Sequence, residues 1–310
     1  MSESGRVFIA GGTGLVGGAI RRRLSDNPSR EVLAPTRSEL DLQDAAGVRE
    51  YLADEKPDSV ILAAARVGGI GANRAHPVEF LTENLVIQNN VMLGAQAAGV
   101  KELMFLGSSC IYPRECRQPM RESDYMTGPL EPTNESYAVA KIAGIRLAEA
   151  LSDQHGMRVL LPMPCNVYGP GDHFDPDKSH VLSALVTRFE NARRQDAPEV
   201  ALWGTGVARR EFIHCDDLAD ACDFLLRLED DLGIVNVGSG TDVTIAELAG
   251  MIAEIVGYEG QILWDSTKPD GMSRKLLDVQ RLADRGWVAQ IPLSAGIAQV
   301  VDEYRTLHAE

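Results

Sequence analysis

Short, uninterrupted apolar runs alternate with longer amphipathic stretches through the first half of the chain. "RVFIAGG" is a β-branched and aromatic run that ends on glycine, and "GLVGGAIRRRL" continues it as a helix. A second strand is expected in "EVLAPTRSELDL", and a third in "DSVILAAARVGGI". A helix follows around Val78–Ala98, then a strand in "KELMFLGSSCIYP" and a helix in "ESYAVAKIAGIRLAEAL". Strands and helices in this rhythm predict an α/β fold built on a doubly wound parallel sheet. Such sheets bind ligands beyond the carboxyl ends of their strands. After Tyr168-Gly169-Pro170-Gly171 the rhythm breaks, proline and glycine punctuate the chain, and helical patterns dominate. The sheet is expected to resume near "EFIHCDDLADACDFLL" and "GIVNVGSG". The expected division is therefore a sheet domain over 1–165 plus 210–240, with a smaller, discontinuous, mostly α substrate-binding lobe over 166–209 plus 241–310.

The turn after the first strand carries Gly11, Gly14 and Gly17 at three-residue spacing, with Gly12, Thr13, Leu15 and Val16 between them. Glycines there allow a tight turn, close approach of backbone N–H groups to a pyrophosphate, and close packing of helix on strand. The positive end of the helix then faces the phosphates. Three glycines in a loop are often only a turn, but a strand before them and a helix after them point to a Rossmann-type dinucleotide site. At the end of the second strand Pro35-Thr36-Arg37-Ser38 has no carboxylate for a ribose 2′-hydroxyl, so Arg37 favours the 2′-phosphate of NADP. The bland alternative for Arg37 is a solvated loop arginine. Asp41 and Leu42 would edge an adenine pocket, and Ala63, Ala64 and Ala65 leave room for a flat ring.

Composition narrows the class. The chain has 310 residues, of which 45% are apolar and 24% charged, ordinary for a globular protein with a sizeable core. No window approaches ~18 apolar residues and no apolar leader is visible, so no membrane partner is expected. Five cysteines without framework spacing suit a reducing compartment, and a cytoplasmic location is expected. The net charge of −15 argues against nucleic acid. No Cys/His spacing resembles a zinc site. Packing is the expectation for Cys215 and Cys222, and Cys116 falls in a polar loop. Arg21-Arg22-Arg23 is expected past the first helical turn, largely solvated.

Tyr137 and Lys141 stand four apart, hence on one helix face. An ammonium near a phenol favours the phenolate, and a serine at a neighbouring strand end can hold the oxygen that the tyrosine protonates. That spacing is common by chance, but here it follows a nucleotide fingerprint and Ser108-Ser109-Cys110 at a strand end.

"GGTGLVG", "GSSCIYP", "YAVAK", "NVYGPGD" and "REFIHCDDLADA" together resemble the extended short-chain dehydrogenase/reductases, which act on nucleotide sugars; the resemblance spans essentially the whole chain. "AAARVGGIGAN", "LEPTNESYAVAKIAGI", "SHVLSALVTRF", "WGTGVARREFIH" and "KPDGMSRKLLD" are similar to one branch, whose members epimerise C3 and C5 of a GDP-bound 4-keto-6-deoxy sugar and then reduce C4 with NADPH. The resemblance implies that Cys110 and His180 exchange protons at the carbons flanking the ketone. Thiols and imidazoles suit this, since neighbours can tune both near neutrality. It also implies that Ser108, Tyr137 and Lys141 carry the reduction. NADP(H) would further touch Leu106, Gly107, Ser109, Pro164, Cys165, Asn166, Val167 and His180. Arg188, Trp203, Arg210, Asp270 and Lys275 would hold the substrate, with the cations near its diphosphate. A homodimer built on the Val78–Ala98 and Tyr137 helices is implied too. Gly12-Thr13 stands where close bacterial relatives have a His-Arg pair, which leaves more of the 2′-phosphate to Arg37. The connection from "DDLADA" to "NVGSG" is short. Among rivals, a dehydratase would keep acidic residues near the tyrosine motif, and a non-catalytic binding module would not need Tyr137, Lys141, Ser108 and Cys110 together.

Overall fold

The computed structural model describes residues 5–175, 179–230, 232–268 and 270–309. Strands β1 (Gly5–Ala10), β2 (Arg30–Leu33), β3 (Ser59–Leu62), β4 (Glu102–Phe105) and β5 (Arg158–Pro164) come first. β6 (Asn166–Tyr168), β7 (Glu199–Trp203), β8 (Arg209–His214) and β9 (Ile234–Val237) follow. One six-stranded sheet, ordered β2-β1-β3-β4-β5-β9, is parallel throughout. Every side chain of β3 and β4 is buried, as expected for strands covered by helices on both faces. The order reverses at β1, so the crevice lies where β1 and β3 part.

The second strand is shorter than its sequence suggests. Pairing ends at Leu33, because Thr36 turns the chain by donating its N–H and hydroxyl to Glu39 Oε2 at 2.7 and 2.8 Å. β8 also departs from expectation: it does not extend the main sheet, which β9 alone resumes. It pairs instead with β6 and with two later strands, β10 (Asp242–Thr244) and β12 (Arg274–Lys275); β11 (Gln261–Asp265) pairs with β7.

Two buried apolar clusters result. The larger runs from Val7 through Cys165 and takes in Ile213 to Val237; the smaller joins Tyr168, the helix Val181–Arg194, Phe212 and the helices Ile245–Val256 and Leu293–Leu307. β8 straddles them, with Phe212 in one and Ile213 in the other. Between them lies Glu211, wholly buried, accepting N–H groups from Gly240 at 2.7 Å and Leu277 at 2.9 Å. Burial raises this carboxyl to about 7, against the pull of those backbone donors. Gly238 must be glycine here, since a Cβ would stand 2.2 Å from Glu211 Oε1.

The arginine run lies past the first helical turn with Arg21 and Arg22 exposed, as expected, but two of its members also pair with acids. Arg22 pairs with Asp216 at 2.9 Å and Arg23 with Asp220 at 2.7 Å, tying the first helix, Leu15–Ser25, to the helix Cys215–Arg227. Among the described residues, no helix is long and apolar enough to cross a membrane.

Gly238→Ala should push Glu211 off its amides and cost about 1–3 kcal/mol, the usual range for overpacking. Urea unfolding that matches the wild type would remove Glu211 from the seam.

Candidate active site

The parallel sheet sends four segments from one edge: Gly11–Leu15 after β1, Ala63–Ala65 after β3, Leu106–Cys110 after β4, and Cys165–Val167 after β5. The glycine loop is shaped as a phosphate cradle. Gly11 has φ of +89° and lies so near β3 that a Cβ would meet the Ala64 nitrogen at 2.7 Å. Gly17 packs the helix on the turn, where a Cβ would stand 2.1 Å from Gly11 O. Gly14 is the N-cap, with no side-chain cap and no acid in the first turn, so the amides face outward uncompensated. Thr13 is exposed beside it. These residues fit a dinucleotide pyrophosphate.

Arg37 is exposed in the loop after β2 and has no ion-pair partner among the described residues. Asp41 is exposed, with its carboxylate accepting from Gln43 N at 3.0 Å, and the half-buried Leu42 is fixed by Asn90 Nδ2 donating to its carbonyl at 3.0 Å. Ala63 and Ala64 both donate to Ala10 O, closing the crevice wall. Gly107 N and Cys165 N extend their strands by donating to Pro162 O and Val237 O. Asn166 Nδ2 donates to Glu211 O at 2.7 Å.

Beyond β4 the chain makes a single 3-10 turn, Ser109–Ile111, capped by Ser108 Oγ accepting from Cys110 N at 3.2 Å. Ser109 is buried, whereas Ser108 and Cys110 remain partly open. The helix Glu135–His155 brings Tyr137 and Lys141 to this turn. Burial pushes the Tyr137 phenol well above its ordinary value; negative charge at Cys110 pushes the same way, and a hydrogen bond with Ser108 opposes both. The phenol therefore stays protonated at neutral pH in the chain alone. In the chain alone the Lys141 ammonium is fully enclosed, donates to Leu106 O at 2.7 Å and lies 4.7 Å from the Phe105 ring and 5.8 Å from the Tyr137 ring. Burial lowers it to about 8.

His180 is the N-cap of the helix Val181–Arg194; the neighbouring Ser179 carbonyl abuts Gly69 in the segment after β3. Arg188 donates to Ala201 O at 3.2 Å. Trp203 is exposed, with Lys268 Nζ 5.7 Å from its ring centre. Asp270 holds the turn after Trp203, accepting from Thr205 N at 2.6 Å and Thr205 Oγ1 at 2.8 Å, and these bonds lower its carboxyl. Arg210 donates to Met272 O at 2.7 Å and lines a cavity of about 240 Å³ with Phe212, Ser239 and Gln290. Lys275 directs Nζ at Cys110 Sγ, 3.5 Å away. Asn134, passed over in the sequence, donates to the same sulfur at 3.1 Å. An asparagine before a helix reads as a cap, yet its side chain caps nothing here.

A family model described as the NAD dependent epimerase/dehydratase family matches residues 7–238. GDP-L-fucose synthase 1 of Arabidopsis thaliana is 51% identical over 302 residues, covering 97% of this chain and 94% of that one. GDP-L-fucose synthase of Escherichia coli (strain K12) is 48% identical over 302 residues, covering 94% of each chain. Among solved structures, MlghC, GDP-mannoheptose C4 reductase from Campylobacter jejuni with NADP bound, matches with TM-score 0.88 and 32% identity, covering 98% of this chain and 99% of that one.

Lys141 sets a pH test. Below about 8 both states carry its proton, and the folded chain bears a buried charge. Between about 8 and 10.5 the unfolded chain keeps a proton that the folded chain has lost, so raising the pH favours folding. Relative to Lys141→Met, the wild type should gain up to about 3 kcal/mol across that window in urea unfolding. A flat difference would refute a buried, easily neutralised amine.

Proposed function

The chain belongs to the NAD dependent epimerase/dehydratase family, and from that premise we propose that it converts GDP-4-keto-6-deoxy-D-mannose to GDP-L-fucose, inverting C3 and C5 and then reducing C4 with NADPH. The observation that carries this reading is the single turn after β4. It sets Cys110 two residues from Ser108, with Tyr137 and Lys141 packed against it. A dehydrogenase of this build needs the serine, tyrosine and lysine; the cysteine answers a need that reduction alone does not create.

The ketone at C4 acidifies the hydrogens on C3 and C5. Inversion takes a proton from one face and returns one to the other, and Cys110 and His180 are the pair that exchanges them. NADPH, when bound, supplies the hydride to C4. Tyr137 gives the proton to the forming alkoxide. Ser108 holds that oxygen, and Lys141 leaves the Leu106 carbonyl to hold the nicotinamide ribose. Gly11–Gly17 cradle the pyrophosphate and Arg37 meets the 2′-phosphate. Arg188 and Arg210 answer the diphosphate against a net charge of −15. Trp203 offers a ring face for the nucleotide, and Asp270 keeps the Trp203 turn in place.

The two buried clusters correspond on this reading to a cofactor domain and a substrate lobe. A second copy of the chain covers the outer face of the helices Pro77–Ala97 and Glu135–His155, where Val78, Val86, Leu93 and Val139 are exposed. Leu93→Arg should then give a monomer by light scattering. Wild type and Leu93→Arg with one and the same monomer mass would remove the dimer.

The deciding experiment follows NADPH oxidation with GDP-4-keto-6-deoxy-D-mannose and identifies products by NMR. The wild type should form GDP-L-fucose. Cys110→Ser should lose about 10²–10⁴-fold in epimerisation, the usual worth of a positioned acid or base, and release sugar reduced at C4 without inversion. NADPH binding without turnover of this sugar would leave the fold and overturn the substrate.

A further inference from the structure

The sulfur of Cys110 is approached by two N–H donors that come from separate parts of the chain. Asn134 Nδ2, at the start of the Glu135–His155 helix, lies at 3.1 Å, and Lys275 Nζ, on the two-residue strand β12, lies at 3.5 Å. A thiol offers one weak S–H donor and weak acceptor lone pairs, while an ammonium only donates. A sulfur met by an ammonium and an amide N–H is therefore placed as an acceptor. Neither donating atom meets another acceptor among the described residues: the Lys275 side chain joins no ion pair, and Asn134 Oδ1 is buried without a partner.

Resting on the function proposed above, we infer that Lys275 and Asn134 are positioning residues that hold Cys110 ready to take a proton, and that the substrate lobe thereby arms the epimerising group. The step balances simply. The C–H bond beside the ketone breaks, an S–H bond forms on Cys110, and the electron pair moves to the C4 oxygen as an enolate. His180 then returns a proton to the opposite face, and both groups recover by exchange with water. Lys275 faces Arg210 across the β12–β8 pairing, so the same short strand that supports the arginine meant for the diphosphate also carries the ammonium that meets the sulfur. Seating the GDP-sugar and arming the cysteine are then linked through one strand.

The test is the rate at which iodoacetamide labels Cys110 in the full chain at neutral pH, followed on its peptide by mass spectrometry. Losing a charged donor this close to the sulfur should change the labelling rate by about tenfold. Lys275→Met should label about tenfold more slowly, Asn134→Ala should also slow, and Lys275→Arg should stay within about threefold of the wild type. NADPH affinity should be unchanged in all three, which certifies the fold. Labelling of Lys275→Met at the wild-type rate would overturn the proposal. So would equal loss in Lys275→Met and Lys275→Arg, because that assigns Lys275 to packing. With substrate, deuterium exchange at C3 and C5 should fall in Lys275→Met more than C4 reduction does. Labelling needs no sugar, so its failure is separate from failure of the substrate assignment, which reads as a wild type without turnover.

Discussion

Glu211 is the contact on which the rest of the molecule turns. A carboxylate without solvent survives only when its oxygens are satisfied, and these are satisfied by amides from two places: Gly240, just past the main sheet, and Leu277, just past β12. That one side chain therefore fixes the second sheet against the first. Arg210 precedes it on β8 and Lys275 lies beside β8 on β12, so the positions of both cations relative to Ser108 and Cys110 follow from the seam. A glycine at 238 is the steric condition for it.

Acidic excess and phosphate chemistry look incompatible until the pairing is followed residue by residue. Arg22, Arg23 and Arg30 are matched to Asp216, Asp220 and Asp223, and Arg209 and Arg274 share Asp242. These pairs join elements rather than attract ligands. What remains near the expected ligand path is a small set, Arg37, Arg188 and Arg210, whose side chains meet no carboxylate within ion-pair distance among the described residues. Local charge rather than net charge sets what such a cleft can hold.

Much of this was legible in the sequence because backbone demands leave a clear mark. Gly11, Gly14 and Gly17 sit where the chain cannot tolerate a Cβ or where amides must stay open, and continuous apolar runs identify strands buried on both faces. Tyr137 and Lys141 follow from helical spacing read beside the nucleotide fingerprint and the serines at a strand end. The rest depends on long-range pairing, which no local pattern encodes. Nothing in "REFIH" says whether it joins the main sheet or crosses to another, and the arginine run gains partners about two hundred residues away. Asn134 was hidden by its ordinary role as a cap, and Lys275 by a resemblance that gave it another one. Lys275 comes to Cys110 only when the lobe is in place.

The isolation of Arg37 has a cost in robustness. A guanidinium held by no neighbour stands in solvent, and its attraction for a phosphate acts across water that dissolved ions can fill. The glycine loop, on the reading proposed above, would hold a pyrophosphate through short backbone contacts that leave little room for intervening ions. Screening over about 8 Å at physiological ionic strength reaches Arg37 instead. If Arg37 meets the 2′-phosphate as proposed, discrimination between the phosphorylated and unphosphorylated forms of the cofactor is the property most exposed to the ionic strength around it.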